Sequence, residues 1–181
     1  KAWGPIVLNG VNQHDICLIP CLNILKFEVE IIQKHLTVQM YDMTKGEITE
    51  SIEWIERIMT DYPDYIPVIG WASYLYLGLE EYDKAVELAT KADMEGNLQG
   101  TFVLGYCMAY GKGILKNELG GFKKIRKAAL TGAIDGAAYT LAECYYNGVG
   151  TEIDKQKAKE WYQKAAEAGD KNAREQLELL F

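Results

Sequence analysis

From Thr101 onward the chain repeats itself with an offset of 37 residues, and no other feature narrows its possible folds so far. Leu104 is matched by Leu141, Cys107 by Cys144, Gly111 by Gly148 and Gly113 by Gly150. Asn117 is matched by Asp154, Ala128 and Ala129 by Ala165 and Ala166, and Gly132 by Gly169. A period of this length marks a supersecondary unit that cannot bury its apolar face alone and must stack on copies of itself.

Each stretch of the second unit has a physical reading. Ala138, Leu141, Ala142 and Tyr145 recur at helical spacing and form one apolar face. Asn147-Gly148-Val149-Gly150 then stops that helix, because glycine enters the left-handed conformation of a helix end without steric cost. Asp154 is placed to cap the next helix through its side-chain oxygen. Ala158, Trp161, Tyr162, Ala165 and Ala166 share a face of that helix, and Gly169 ends it. Small residues at 142, 158, 165 and 166 allow two antiparallel helices to approach closely, while the aromatics fill the space between pairs.

These residues carry a resemblance. Residues 137 to 173 run Ala-x-x-x-Leu-Ala-x-x-Tyr-x-x-Gly-x-Gly, then a capping Asp, then Lys157-Ala158-Lys159-Glu160-Trp161-Tyr162-Gln163-Lys164-Ala165-Ala166. The pattern resembles the Sel-one-like repeat family. The preceding unit departs from it: Gly120-Gly121 falls where a helix should start, and Lys124 replaces the Trp161 equivalent. Glycine costs roughly 1 kcal/mol relative to alanine inside a helix, so this helix is expected to begin late or fray. Further upstream, Trp71, Ala72, Tyr74, Leu75, Tyr76, Gly78 and Tyr82 look like a tetratricopeptide unit. There the Leu77 to Asp83 connection lacks the Gly-x-Gly loop.

The expected fold is all-α, a right-handed α-solenoid of stacked antiparallel helix pairs. The repeat domain is expected over 32–181, as about four helix pairs plus a C-terminal helix. The spacing predicts helices over 32–45, 47–60, 64–77, 81–93, 98–110, 117–131, 135–147, 154–168 and 170–180. Residues 1–31 do not fit the repeat. Phe27, Val29 and Ile31 alternate with charged residues as in a strand, whereas Leu22, Leu25, Val29 and Ile32 equally fit a helix. The segment is expected to be extended or irregular. At the C-terminus Leu177, Leu180 and Phe181 are expected to leave apolar surface. The chain begins at Lys1 without an initiator methionine, so it is expected to be a processed product or an excised piece.

Composition excludes several function classes. The net charge is -7, with 13 acidic and 4 basic side chains between residues 41 and 100, but 6 basic and 2 acidic between 101 and 135. A net acidic chain without a long basic face is a poor nucleic-acid binder. No apolar run approaches the roughly 20 residues of a membrane span. The two histidines, His14 and His35, lack the companions a metal site requires, and Cys17-x-x-x-Cys21 is not a zinc spacing. Gly111-Lys112-Gly113 and Gly148-Val149-Gly150 follow helices rather than strands, so they are repeat turns and not phosphate loops. No nucleophile, cofactor site, metal site or small-molecule substrate site is expected, and the chain is not expected to be an enzyme.

What remains is recognition of another protein or a peptide segment. In stacked pairs the first helix of each pair lines the concave surface. The residues expected there are Met40, Met43, Tyr74, Leu77, Tyr106, Tyr110, Glu143 and Tyr146, with Phe102 and Tyr139 nearer the core. Tyrosine supplies a large contact area at low entropy cost. The cluster Lys112 to Lys127 is more often a solvated face than a site; within it, Lys123 and Lys124 would steer an acidic partner. The acidic first half would favour a basic one. The expectation is a non-catalytic scaffold or adaptor. The alternatives are an inhibitor or immunity protein neutralising one toxin enzyme, and an accessory domain of a larger enzyme.

Overall fold

The computed structural model describes residues 45–134 and 136–181, and among these every regular element is a helix. The helices are α1 (Lys45–Asp61), α2 (Ile66–Gly78), α3 (Tyr82–Met94) and α4 (Leu98–Tyr110), followed by α5 (Glu118–Ala129), α6 (Ala137–Asn147), α7 (Lys155–Glu167) and α8 (Lys171–Leu180). The pairs α2–α3, α4–α5 and α6–α7 stack in chain order, with α1 before them and α8 after. This is an α-solenoid of helix pairs. The segment 1–31, the expected helix over 32–45 as far as residue 44, and Met40 and Met43 lie outside the described residues.

The side-chain caps are the Asn and Asp residues at the helix entrances. Asn97 Oδ1 accepts the Gly100 N–H at 2.9 Å, and Asn117 Oδ1 accepts that of Gly120 at 2.9 Å. Asp154 Oδ1 accepts from Lys157 and Asp170 Oδ1 from Ala173, each at 3.0 Å. The two seven-residue turns between paired helices are built alike. Gly111 and Gly148 take φ of 69° and 73°, and the Asn117 and Asp154 N–H groups return to the Met108 and Tyr145 carbonyls at 2.7 and 2.8 Å. The α2–α3 connection is shorter, and there a non-glycine residue, Glu80, holds a φ of 63°.

The glycine pair in α5 has the opposite consequence to the one expected. The helix begins at Glu118, directly after its Asn117 cap, and runs through Gly120 and Gly121. A Cβ at Gly121 would lie 2.4 Å from the Ala109 nitrogen, and one at Gly105 would lie 2.8 Å from the Lys124 Cβ. The missing side chains let α4 and α5 cross with backbones in contact, and this packing outweighs glycine's low helix propensity. In the next unit the matching positions are Ala142 and Ala158, both fully buried.

The core runs the length of the stack. Ile48, Ile52, Ile55 and Ile58 cover one side of α1, and Val68, Ile69, Ala72 and Leu75 fill α2. Ala85, Ala89 and Ala92 of α3 have no exposure, so α4 packs close enough that a Cβ on Gly100 would meet Ala92 at 2.5 Å. Phe102, Leu104, Ile125, Leu141 and Tyr162 continue the core toward the C-terminus. Leu179 and Phe181 remain exposed at its end.

Candidate partner-binding surface

The first helices α2, α4 and α6 present a run of partly exposed aromatic side chains beside the buried core. Tyr74 on α2 stands edge-on to Trp71 at 6.3 Å and lies 6.0 Å from Phe102 on α4, with Leu77 one turn further along, partly exposed. Phe102 itself is buried, as expected. On α4, Tyr106 and Tyr110 lie one turn apart with ring centroids 4.8 Å from each other. On α6, Tyr146 meets Phe181 edge-on at 6.3 Å, and Lys155 Nζ sits 5.4 Å from its ring.

Glu143 ties the second half of this run together. It lies one turn after Tyr139 on the same helix. Burial raises the Glu143 carboxyl above the usual range, and the Asp170 charge adds to the effect. Burial, reinforced by the Glu143 charge, in turn raises the Tyr106, Tyr110 and Tyr162 hydroxyls and takes Tyr139 to about 12. The rings of Tyr139 and the buried Tyr162 meet edge-on at 5.5 Å. A partly buried carboxylate therefore sits among tyrosines contributed by three helices.

The two lysines proposed as steering charges are on α5, a second helix. Lys123 is exposed. Lys124 is engaged within the fold: its Nζ lies 2.6 Å from Asp93 Oδ2, with the two side chains 29% and 17% exposed. Tyr106, Tyr110 and Glu143 are thus brought together, Tyr74 meets Phe102 one turn before Tyr106, and Lys124 is an inter-pair tie. Sequence reasoning missed Asp170 and Glu175, whose charges both act on Tyr139. Asp170 carried a signal only as the first residue of the helix expected over 170–180.

Cys107 and Cys144 are fully buried, and burial raises their thiols to about 11 and about 12. Among the described residues no group of His, Cys, Asp and Glu is placed to hold a metal ion, and no helix is long and apolar enough to cross a membrane.

Comparison with known proteins agrees with this architecture. The Sel1 repeat model matches residues 99–129 and 136–170. A Sel1 repeat protein from Oxalobacter formigenes is 29% identical, over 67% of this chain and 93% of that one, with a TM-score of 0.53. A protective antigen of uropathogenic Escherichia coli strains, displaying an SLR fold, is 26% identical with a TM-score of 0.53. That alignment covers 82% of this chain but 36% of the antigen. Cysteine-rich protein B of Helicobacter pylori shares the fold at 16% identity and a TM-score of 0.51, over 74% of this chain and 97% of that one. No curated protein matches the chain. Sel1-like repeat proteins typically act as protein–protein interaction modules and are generally not catalytic. The units spanning residues 99–129 and 136–170 are thus similar to Sel1 repeats, and the solenoid fold is that of the Sel1-like repeat structures.

Proposed function

We propose that the chain is a scaffold or adaptor module that receives a segment of another protein along the face formed by α2, α4 and α6. The observation that carries this reading is the Tyr106–Tyr110 pair, with ring centroids 4.8 Å apart and tilted planes, both rings still partly exposed. Rings held in place by their neighbours lose little freedom on binding, which is why tyrosine dominates many recognition surfaces. Tyr74 and Tyr146 extend the aromatic run in both directions, and Lys123 supplies a basic charge on α5.

The test is the affinity for a captured partner of the wild-type chain and of the double variant Tyr106→Ala, Tyr110→Ala. Loss of two hot-spot tyrosines is expected to weaken binding by roughly 30-fold or more. Unchanged affinity would mean that another surface binds the partner. The uneven charge supports a second reading, an inhibitor or immunity protein steered onto one enzyme. It predicts a single folded partner, nanomolar or tighter affinity, and loss of that partner's activity on binding. The adaptor reading predicts short segments held at about micromolar affinity.

A further inference from the structure

The outer side of α5 carries charge and apolar surface that the fold does not use. The helix buries Gly121, Ile125, Ala128 and Ala129. On its opposite side Leu119, Lys123, Arg126, Lys127 and Leu130 recur at helical spacing and form one stripe. All five are exposed, Leu119 by 56% and Leu130 by 62%. From one leucine to the other the stripe runs about 16 Å along the helix.

Most basic side chains elsewhere in the stack are engaged. Lys91, Lys116 and Lys124 each hold a carboxylate. Lys84, Lys112, Lys155, Lys157, Lys159 and Lys164 each lie over an aromatic ring. By contrast, the Lys123 and Arg126 side chains make no ion pair, hydrogen bond or ring contact among the described residues. Lys127 makes no ion pair either and only adds to the field that lowers Asp93. Cations in a last turn complement the helix dipole, which gives Arg126 and Lys127 a local reason but not Lys123 or the leucines. Like charges three and four residues apart also repel one another. The repeat does not demand this stripe. At an offset of 37 residues the matching positions on α7 are Gln156, Glu160, Gln163, Lys164 and Glu167, polar and mixed in sign.

The neighbouring helices narrow what can cover the stripe. Opposite the buried alanines of α3, Asp83 and Glu87 are exposed, and Glu160 and Glu167 are exposed opposite the buried residues of α7. The positive charge is therefore confined to the width of one helix. A flat anionic membrane or a nucleic-acid backbone would meet those carboxylates too and be repelled by them. A single acidic helix lying along α5 meets the cations alone, and its own apolar side chains can cover Leu119 and Leu130.

We infer that the outer side of α5 docks a short acidic, leucine-bearing helix of a partner protein. Its carboxylates pair with Lys123, Arg126 and Lys127, and its leucines pack on Leu119 and Leu130. This surface is separate from the first-helix face, where Lys123 serves only as a steering charge, and its occupant is a different segment.

The test is an NMR titration of the full chain with a stapled, alanine-based helical peptide carrying two leucines at the spacing of Leu119 and Leu130 and three glutamates between them. Its glutamine counterpart and a version with serine for both leucines are titrated in parallel. The acidic peptide is expected to saturate with shifts centred on α5, to bind roughly tenfold tighter than the glutamine peptide, and to weaken as salt is raised. Lys123→Gln with Lys127→Gln should remove the preference for glutamate. Leu119→Ser with Leu130→Ser should weaken binding by roughly tenfold. All four changes are at exposed positions, so the variants are expected to keep the wild-type melting temperature. Failure to saturate, equal binding of the glutamate and glutamine peptides, or a preference retained in the double lysine variant would overturn the inference. Equal binding of the serine peptide would reduce the stripe to charge attraction and overturn the docking surface. Sedimentation with phosphatidylserine vesicles, lost in the double lysine variant and unaccompanied by peptide binding, would assign the stripe to a membrane instead.

Discussion

The Nζ of Lys124, on α5, lies 2.6 Å from Oδ2 of Asp93, on α3, while Asp93 Oδ1 accepts the Thr101 hydroxyl of α4 at 2.7 Å. One carboxylate thus joins a second helix, the following first helix and the next second helix. Burial works against the Asp93 charge, but the hydrogen bonds from Lys124 and Thr101 outweigh it and hold the carboxyl below its usual range. Asp93→Asn or Lys124→Met is expected to cost about 1.5–3 kcal/mol at pH 7, the range for a hydrogen bond to a charged group. Because the folded-state pKa is depressed, this stabilisation is present above the unfolded carboxylate range and lost as pH falls through the folded value. Urea denaturation at pH 7 and pH 3 should show the penalty of Asp93→Asn shrinking in acid.

Each repeat turn locks onto the pair before it through its second glycine. Gly150 has a φ of 68°, and a Cβ there would fall 2.2 Å from the Glu118 carbonyl oxygen. Gly113 stands in the same relation to Tyr82, with 2.7 Å to its carbonyl carbon. Gly132 has a similar φ of 65° but open space around it. Gly132→Ala is therefore expected to cost about 1–2 kcal/mol, the left-handed penalty alone. Gly150→Ala should cost that and a further ~1–3 kcal/mol of overpacking. Equal melting temperatures for the two variants would show that the turn does not need the close approach.

The two repeat cysteines should behave as core residues. With thiols fully buried and raised to about 11 and about 12, Cys107 and Cys144 are expected to resist alkylation at pH 8 in the native state and react fully in urea. Mass spectrometry of the labelled peptides reads each site separately. Rapid native labelling of either would contradict the burial described.

Glu143 is expected to trade stability for function. Its folded-state pKa is raised, so the protonated form favours the fold: that contribution is complete below the unfolded carboxylate range and is lost as pH rises through the folded value. Glu143→Gln should therefore raise the melting temperature at pH 7, with the difference from wild type closing toward pH 4. A variant less stable than wild type at pH 7 would mean that the carboxylate is a structural hydrogen-bond acceptor rather than a held charge.

How much of this was legible in the sequence depends on the range of the cause. Helix ends were readable because Asp154, with Asn117 at the matching position, caps locally and Gly111 and Gly148 turn locally; among the described helices the boundaries fall within about two residues of those expected. Gly120 and Gly121 were misread because their role is set by α4, fifteen residues away in sequence from Gly105 to Gly120. Lys124 looked like a free charge in a basic stretch because its partner, Asp93, precedes it by 31 residues. The tyrosine face followed from the repeat register, but the convergence of Glu143, Asp170 and Glu175 on Tyr139 requires α6 and α8 to be packed.

The most direct test of the central claim places a photo-crosslinking amino acid at Tyr106, on the first-helix face, and separately at Lys127, exposed on the second helix α5. Both variants are irradiated in the native source, and the adducts are identified by mass spectrometry. A partner segment crosslinked from position 106 and absent from position 127 is the predicted result. The same partner captured from position 127 alone would contradict the account.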